Sequence, residues 1–232
     1  MPDAPANTSP IGLLLSGGLD SAILLGHLVR QGHMVQPFYV QSQLRWQAAE
    51  LAAVQQFIAA LNSPLVAALA ELALPLADLY AGHWSVAGYS VPDEQSPDEA
   101  VFLPGRNLLL IAKPAVWCQL NGIEELALAT LATNPFDDSS DRFFAAIETA
   151  INAGSATKLR IVRPLGGMTK AQVMHLGRAL PLELTMSCID PQAMLHCGHC
   201  NKCAERRAAF VSIGLVDPTR YARPIHEIHP HR

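Results

Sequence analysis

The sequence predicts an α/β fold, a mostly parallel sheet flanked by helices, with a small metal-bound helical appendage at the C-terminal end. Three observations support this prediction. Short apolar runs alternate with longer stretches whose apolar residues recur at helical spacing. The first apolar run leads directly into a Ser-Gly-Gly turn. Four of the five cysteines fall between positions 188 and 203.

The individual elements follow from these patterns. Apolar runs predict strands at residues 11–15, 35–40, 125–131 and 159–162. Helical spacing predicts helices at residues 20–30, 46–61, 107–120, 139–152 and 204–213. A further helix begins at Thr169, where Gln172 completes a capping box. Residues 64–80 are ambiguous, residues 81–102 predict a loop, and Pro114 should kink its helix or lie in the first turn.

Composition and charge exclude several classes of protein. Half of the residues are hydrophobic and 16% are charged, which excludes a disordered chain and a disulfide-rich miniprotein. No apolar run approaches the ~20 residues that span a bilayer, so we expect no membrane partner. Residues 1–10 lack the profile of a secretory signal, and we expect a cytoplasmic protein.

The charges are divided unevenly along the chain. Residues 1–150 hold 15 acids and 5 bases, a net charge of −10, whereas residues 151–232 hold 5 acids and 11 bases, a net charge of +6. A basic C-terminal third favours an anionic ligand, such as a nucleotide, a phosphate or RNA.

The turn after the first predicted strand has the composition of a phosphate site. Glycines let the backbone approach phosphate oxygens, and the helix that follows offers unpaired N–H groups at its N-terminus. Asp20 would repel bare phosphate, so its presence points to Mg²⁺ between the two. The sequence lacks the Gly-Lys-Ser/Thr of a Walker motif. The predicted nucleotide-binding residues are Leu15, Ser16, Gly17, Gly18, Leu19, Asp20 and Ser21.

The clustered cysteines predict a metal centre. Their spacing lets four thiolates converge on one tetrahedral Zn²⁺ that leaves no open position for water, which is typical of a structural site. An iron–sulfur cluster is the alternative, because thiolates alone do not select the metal. Cys118 is predicted to be a core residue. The proposed ligands are Cys188, Cys197, Cys200 and Cys203.

The chain therefore divides into four predicted parts. These are a flexible tail at 1–10, a nucleotide-binding α/β domain at 11–180, a zinc-binding lobe at 181–215 and a second tail at 216–232. The second tail contains His226, His229 and His231, which could bind a metal loosely, although a solvated tail is the favoured interpretation.

The Ser-Gly-Gly-x-Asp-Ser turn resembles the PP-loop of the ATP pyrophosphatase superfamily, whose members cleave ATP between its α- and β-phosphates. Other segments resemble one branch of that superfamily, the 7-cyano-7-deazaguanine synthase family. They are Leu-Pro-Gly-Arg-Asn at 103–107, the stretch 163–177, and the cysteine segment followed by Arg206 or Arg207 and Phe210. The resemblance extends from about residue 11 to residue 213.

This resemblance implies an adenine nucleotide alpha hydrolase-like fold, a homodimer, a structural zinc ion, and Mg²⁺ bound with ATP. It implies ATP-dependent conversion of 7-carboxy-7-deazaguanine and ammonia into 7-cyano-7-deazaguanine, a queuosine precursor, through an adenylated carboxylate. The residues implied as catalytic are Asp20, Lys170 and Arg106. Those implied to bind the carboxylate substrate are Arg106, Asn107, Asp138 and Arg142.

Two segments depart from the family's pattern and leave alternatives open. Residues 42–46 keep the family's Arg but lose its Tyr, Gly and His, and residues 137–142 lose its Tyr-Pro and Cys. A related PP-loop enzyme could adenylate another carboxylate or attach a deazaguanine to a macromolecule. A tRNA-modifying PP-loop enzyme is a second alternative, although thiolation normally needs a reactive cysteine, and nucleic acid is not the favoured partner. A non-catalytic nucleotide- and zinc-binding module is a third.

Overall fold

The computed structural model describes residues 9–131 and 133–223. The three histidines of the predicted C-terminal tail, His226, His229 and His231, lie outside the described residues, as do residues 1–8 of the predicted N-terminal tail. No described helix is long and apolar enough to cross a membrane.

Strands and helices alternate along most of the chain. The strands are β1 Ile11–Leu14, β2 Val35–Gln41, β3 Ala70–Ala73, β4 Glu125–Ala127 and β5 Arg160–Val162. The helices are α1 Leu19–Arg30, α2 Gln47–Leu61, α3 Trp84–Ala87, α4 Arg106–Leu120, α5 Asp141–Ala153, α6 Lys170–Gly177 and α7 Asn201–Val211. Short 3-10 turns cover Asp98–Val101, Asp137–Ser139 and Leu182–Leu184.

The five strands form one parallel sheet in the order β3-β2-β1-β4-β5. This confirms the predicted α/β fold with a parallel sheet. The strand order reverses between β1 and β4, and in open α/β sheets the crevice beside such a reversal is where ligands bind. The turn after β1 therefore lies at the position that the fold favours for a site.

The centre of the sheet is packed tightly around β1. A Cβ on Gly12 would lie 2.8 Å from Sγ of Cys118 and 3.0 Å from the ring of Phe38, so only glycine fits there. Cys118 is fully buried, and burial raises the pKa of its thiol to about 12. It is the core residue that the sequence predicted.

Helix α6 begins as the sequence predicted. The Thr169 side chain accepts a hydrogen bond from the Gln172 N–H, and the Gln172 side chain accepts one from the Thr169 N–H, so the capping box is complete. This cap fixes the backbone just before Lys170, the first residue of the helix.

Three expectations about the middle of the chain need correction or completion. The ambiguous residues 64–80 contain β3, which extends the sheet beside β2. The predicted loop 81–102 contains α3 and a 3-10 turn, and it bonds to the cysteine segment: the Glu94 N–H donates to the His199 carbonyl (2.9 Å) and the Asn201 N–H to the Pro92 carbonyl (3.0 Å). Pro114 lies well inside α4, so the prediction that it could lie in the first turn is wrong.

Candidate active site and metal centre

A cavity of about 780 Å³ opens where β1 and β4 end. Its walls come from the turn after β1, the N-terminal half of α4, the segment after β4, the start of α6, and the cysteine-rich segment with α7. We distinguish two ends of the cavity. The glycine-turn end comprises Ser16, Gly18, Leu19, Asp20, Ser21 and Lys170, and the aromatic end comprises Trp46, Glu50, Trp84 and Arg106.

The glycine turn is held in shape by its own backbone and hydroxyl groups. Gly17 has a φ of +80°, and a Cβ there would lie 3.0 Å from the carbonyl oxygen of Glu50. The Ser21 hydroxyl accepts from the Ser16 N–H and donates to the Gly18 carbonyl, each at 3.2 Å. Gly18 is the N-cap of α1 and has no side chain that could bond to the first helical turn. The N–H groups of that turn can therefore bind an anion.

Not every residue of the predicted turn reaches the cavity. Ser16, Gly18, Leu19, Asp20 and Ser21 line it. Leu15 and Gly17 do not: the Leu15 side chain is buried in the core and its N–H donates to the carbonyl of Phe38 (2.9 Å). These two residues support the backbone of the turn without lining the cavity.

A chain of alternating charges joins α1 to α7 across the cavity. The Lys170 ammonium donates to both oxygens of Asp20, at 2.8 and 2.9 Å, and lies 3.3 Å from Glu205. Glu205 in turn pairs with Lys202 at 2.6 Å. Burial opposes the charged form of Lys170, but Asp20 and Glu205 outweigh it and raise its pKa. Sequence reasoning found Asp20 and Lys170 separately and did not foresee that they pair, nor that Glu205 joins them.

The four predicted substrate residues are not equivalent in the structure. Arg106 and Asn107 line the cavity. Asp138 is buried behind them: its backbone carbonyl accepts from the Asn107 side-chain amide at 3.0 Å, and burial raises the pKa of its carboxyl. Asp138 therefore positions Asn107. Arg142 is exposed on the first turn of α5 and is not brought into the cavity wall, so the geometry gives no support to its predicted role.

The aromatic end contains residues that sequence reasoning did not assign. Trp46 stacks on Trp84 with ring centroids 5.7 Å apart, and the Arg106 guanidinium lies 6.0 Å from the centre of the Trp46 ring. A cation held over an aromatic face is stabilised electrostatically, which orients Arg106. Trp46 belongs to the segment 42–46 that departs from the family's pattern, so this departure lies in the cavity itself.

Glu50 is the other unassigned residue at this end. It lies in the first turn of α2, lines the cavity, and accepts a hydrogen bond from the Tyr39 hydroxyl at 3.1 Å. Burial raises the pKa of Glu50 to about 7, although Arg106 and the Tyr39 hydrogen bond act in the opposite direction. One signal was visible in the sequence: Glu50 is the only charged residue of α2, a helix otherwise built from alanine, glutamine and large apolar residues.

The four predicted metal ligands converge. Their sulfur atoms lie within 4.8 Å of one another, and all four cysteines are buried and free of disulfides. The Sγ atoms of Cys188 and Cys200 are 3.8 Å apart, and those of Cys197 and Cys203 are 3.9 Å apart. A tetrahedron with metal–sulfur bonds of about 2.3 Å has sulfur–sulfur edges of about 3.8 Å. The arrangement therefore fits a four-thiolate metal centre.

Backbone N–H groups also point at these sulfurs, as thiolate ligands require. The N–H groups of Asp190 and Cys197 lie 3.3 and 3.2 Å from Sγ of Cys188. His196, beside the cluster, accepts from the Ser187 N–H at 3.1 Å, and burial lowers its pKa to about 3, so the ring stays neutral. The predicted zinc-binding lobe at residues 181–215, called the metal lobe below, is thus built from local turns.

The metal lobe is joined to the glycine turn by direct bonds. The Met186 N–H donates to the Gly17 carbonyl at 2.8 Å. Arg206, which is 1% exposed, donates to Thr185 Oγ1 and to the Leu182 carbonyl, each at 2.7 Å. Because Cys188 follows Met186 by two residues, the four-cysteine cluster lies next to the segment that is bonded to the glycine turn.

Comparisons with known proteins agree with these features. Residues 11–214 match the family model described as "Queuosine biosynthesis protein QueC". Three proteins named 7-cyano-7-deazaguanine synthase are similar to this chain over nearly their whole length. The one from Thiobacillus denitrificans is 32% identical over 91% of this chain and 97% of its own, and the one from Xylella fastidiosa is 30% identical over 90% and 94%. The Methanothermobacter thermautotrophicus protein is 28% identical over 90% and 97%.

Solved structures show a more distant likeness. A 4-thiouridine synthetase in complex with RNA and ATP shares 14% identity over 88% of this chain and 50% of its own, with a TM-score of 0.49. A likeness at this level supports no statement about function.

Proposed function

The chain belongs to the QueC family of queuosine biosynthesis proteins, and from this premise we propose that it converts 7-carboxy-7-deazaguanine and ammonia into 7-cyano-7-deazaguanine with ATP as the activating reagent. A carboxylate oxygen attacks the α-phosphorus of ATP, and pyrophosphate leaves. Ammonia then displaces AMP to give an amide. A second adenylation, now of the amide oxygen, allows loss of AMP and formation of the nitrile.

One observation carries this proposal: the glycine turn, Lys170 and Arg106 all line one cavity of about 780 Å³. Adenylation needs positioning and charge neutralisation more than a protein nucleophile. The N–H end of α1 and the hydroxyls of Ser16 and Ser21 would hold the phosphates. Lys170 and Arg106 both line the cavity and supply positive charge, one for phosphate and one for the substrate carboxylate.

Mg²⁺ would accompany ATP, and Asp20 is the carboxylate that would hold it. This fits the donor set, because Asp20 lines the cavity at the start of α1, and carboxylate oxygens are the ligands that Mg²⁺ prefers. When bound, Mg²⁺ neutralises phosphate charge. Lys170, at hydrogen-bond distance from Asp20, would then serve as a second cation toward the same phosphates.

The four-cysteine centre would hold a structural zinc ion. Its sulfur–sulfur distances of 3.8 and 3.9 Å fit zinc–thiolate geometry, and four buried thiolates leave no position for water. Metal analysis of the purified protein distinguishes zinc from an iron–sulfur cluster, which would also absorb visible light.

We also propose a cytoplasmic homodimer. The outer face of α4 exposes Leu108, Val116 and Leu120, which are 48%, 51% and 79% exposed and lie on one helical stripe. Two such stripes could bury one another about a twofold axis. Size-exclusion chromatography with light scattering measures the oligomer, and a monomeric mass would contradict the proposal.

A second candidate function keeps the chemistry and changes the carboxylate. The observation that favours it is Trp46, which stands in the altered segment 42–46 and lines the cavity against Trp84. A tRNA-thiolating enzyme has less support. Among the described cysteines, Cys118 is buried under β1 and the other four form the metal cluster.

The deciding experiment measures AMP and pyrophosphate release from ATP across a panel of carboxylates with ammonia present. The proposed function predicts the largest release, together with a nitrile product, for 7-carboxy-7-deazaguanine. Release that is larger for another carboxylate would favour the second candidate. No release with any carboxylate, while nucleotide binding is retained, would favour a non-catalytic binding module.

A further inference from the structure

We infer that Glu50 is the proton acceptor for the nitrogen nucleophile in this cavity, an inference that rests on the proposed function. The reaction must remove every proton from ammonia before the nitrile forms. Lys170 and Arg106 are cations, and Asp20 is already bonded to Lys170. Of the other carboxylates that line the cavity, Glu205 also pairs with Lys170 and Asp98 is exposed, whereas Glu50 forms no ion pair within the described part of the chain.

The position of Glu50 is fixed by the glycine turn. Its backbone carbonyl packs so closely against Gly17 that a Cβ on Gly17 would lie 3.0 Å away. The side chain lines the same cavity as Ser16, Ser21 and Arg106. It therefore stands between the turn proposed to hold phosphate and the cation proposed to hold the substrate carboxylate.

The surroundings of Glu50 accommodate both of its protonation states. The Tyr39 hydroxyl lies 3.1 Å from Oε2 of Glu50 and 3.1 Å from the carbonyl oxygen of Gln47. A phenol has one hydrogen to donate and can also accept. When Glu50 is ionised, Tyr39 can donate to it. When Glu50 is protonated, the acid can donate to the phenol oxygen while the phenol donates to Gln47. No hydrogen bond has to be lost when the proton arrives.

The electrostatic balance suits a base near neutral pH. The charged or titratable groups acting on Glu50 are Arg106 on α4 and Tyr39 on β2. Burial raises the pKa of Glu50 to about 7, and these two groups moderate the rise. A base whose pKa lies near the working pH combines a large ionised fraction with useful basicity.

Ammonia loses its three protons in three separate transfers. The nitrogen lone pair of ammonia attacks the acyl carbon of the adenylate and forms the C–N bond. Glu50 takes one N–H proton, and AMP leaves with the electron pair of the broken C–O bond. Glu50 releases this proton to solvent and is ionised again. After the amide oxygen has displaced pyrophosphate from a second ATP, the nitrogen gives its two remaining protons to Glu50 in turn, and Glu50 passes each one to solvent. The last electron pair released completes the C≡N bond as the second C–O bond breaks and AMP leaves.

The test separates adenylation from nitrogen transfer. Adenylation, measured as carboxylate-dependent exchange of pyrophosphate into ATP, needs no nitrogen base. Glu50→Gln keeps the size of the side chain and removes the basic oxygen. We expect exchange within about threefold of wild type and ammonia-dependent nitrile formation lower by about 10²-fold or more. Retained exchange also shows that the variant is folded.

Two further measurements sharpen the assignment. Hydroxylamine, which is neutral at pH 7 and gives a more acidic adduct, should still form the hydroxamate with Glu50→Gln. Glu71→Gln is the matched control: Glu71 is exposed on β3 and does not line the cavity, so both rates should stay at wild-type values.

The pH dependence gives a readout that a structural role would not move. With free NH₃ held constant, the wild-type rate of nitrile formation should rise through about pH 7 and level off, because Glu50 must be ionised to act. Tyr39→Phe removes a hydrogen bond that lowers the pKa of Glu50, so its midpoint should move to higher pH. Pyrophosphate exchange should show neither effect.

Several results would overturn the inference. Equal losses of exchange and nitrile formation in Glu50→Gln would mean that Glu50 only supports the site. A raised KM for the carboxylate with unchanged kcat would mean that it recognises the substrate. An unchanged nitrile rate would remove it from the reaction. A wild-type enzyme that itself makes no nitrile contradicts the proposed function, which is distinguishable because the variant and its parent then fail alike.

Discussion

The two ends of the cavity are assembled in different ways. The glycine-turn end comes mainly from one short segment, residues 16–21, which contains the turn after β1 and the start of α1. The aromatic end comes from the N-cap of α2 and from α3 and α4, where Trp46, Trp84 and Arg106 come together from distant parts of the sequence. A turn that binds phosphate through its backbone needs particular residues in consecutive positions, so it can be recognised in the sequence as a motif. A cavity wall formed by packing of distant elements has no such motif, and its residues can change while the glycine-turn motif stays the same.

A substitution in the metal lobe should have the largest effect on stability and activity, because this lobe supports both ends of the cavity. Cys200→Ser removes one of four ligands and leaves three thiolates crowded together. We expect the variant to lose the proposed zinc ion and its Tm to fall by about 10 °C, or roughly 3 kcal/mol or more. Both pyrophosphate exchange and product formation should fall, because Met186, two residues before Cys188, is bonded to Gly17.

Differential scanning fluorimetry and metal analysis measure this outcome. Cys118→Ala is the control, because Cys118 lies outside the cluster and its loss should leave the metal content unchanged. A Cys200→Ser protein that keeps its metal and its Tm would show that the four sulfurs do not form one site.

Asp20→Ala tests the glycine-turn end alone. The change removes the partner of Lys170 and the proposed ligand of Mg²⁺, so the charge on the phosphates is no longer balanced. We expect pyrophosphate exchange to fall by about 10²- to 10³-fold, with little change in Tm. Asp78→Ala, at an exposed acid, should leave the rate intact. An unchanged exchange rate in Asp20→Ala would contradict the assignment.

Gly17→Ala tests the contact between the glycine turn and α2, which joins the two ends of the cavity. The substitution forces alanine to a φ of +80° and places its Cβ 3.0 Å from the Glu50 carbonyl. We expect a loss of about 1–3 kcal/mol in the free energy of unfolding, measured in urea. Gly122→Ala is a matched control: its φ is +70°, but nothing lies within 4 Å of the added Cβ. Equal losses in the two variants would mean that the contact with α2 is unimportant.

Trp84→Ala should have the smallest effect and should act on the aromatic end only. Trp84 is partly exposed and stacks on Trp46, so its loss leaves α2 in place but frees the Trp46 ring and Arg106. Aromatic pairs contribute about 0.5–1.5 kcal/mol. We therefore expect KM for the carboxylate to rise about threefold to tenfold and KM for ATP to stay within twofold. Equal changes in both constants would remove the distinction between the ends.

The sequence predicted the parts of the molecule that are local. The parallel α/β fold, the capping box at Thr169, the core position of Cys118 and the convergence of four cysteines are all confirmed. Each depends on residues close together in the chain or on periodicity that one helix or strand imposes.

One feature that the sequence did not predict depends on the packing of α1 against α6. The pairing of Asp20 with Lys170 joins residues 150 positions apart, and no local pattern encodes it. The loop prediction for 81–102 failed at α3, which is only four residues long and is capped by the side chain of His83. A partial motif predicts a substrate role for Arg142, but this residue is exposed on the first turn of α5 and does not line the cavity.

The central claim is that one cavity adenylates the carboxylate and then converts it to a nitrile. The most direct measurement uses 7-carboxy-7-deazaguanine labelled with ¹⁸O in both carboxylate oxygens, with ammonia and ATP, and locates the label by mass spectrometry. Attack at the α-phosphorus predicts one ¹⁸O in each of two AMP molecules, none in pyrophosphate and none in the nitrile. Label in pyrophosphate or inorganic phosphate, or a nitrile formed without AMP, would contradict this account.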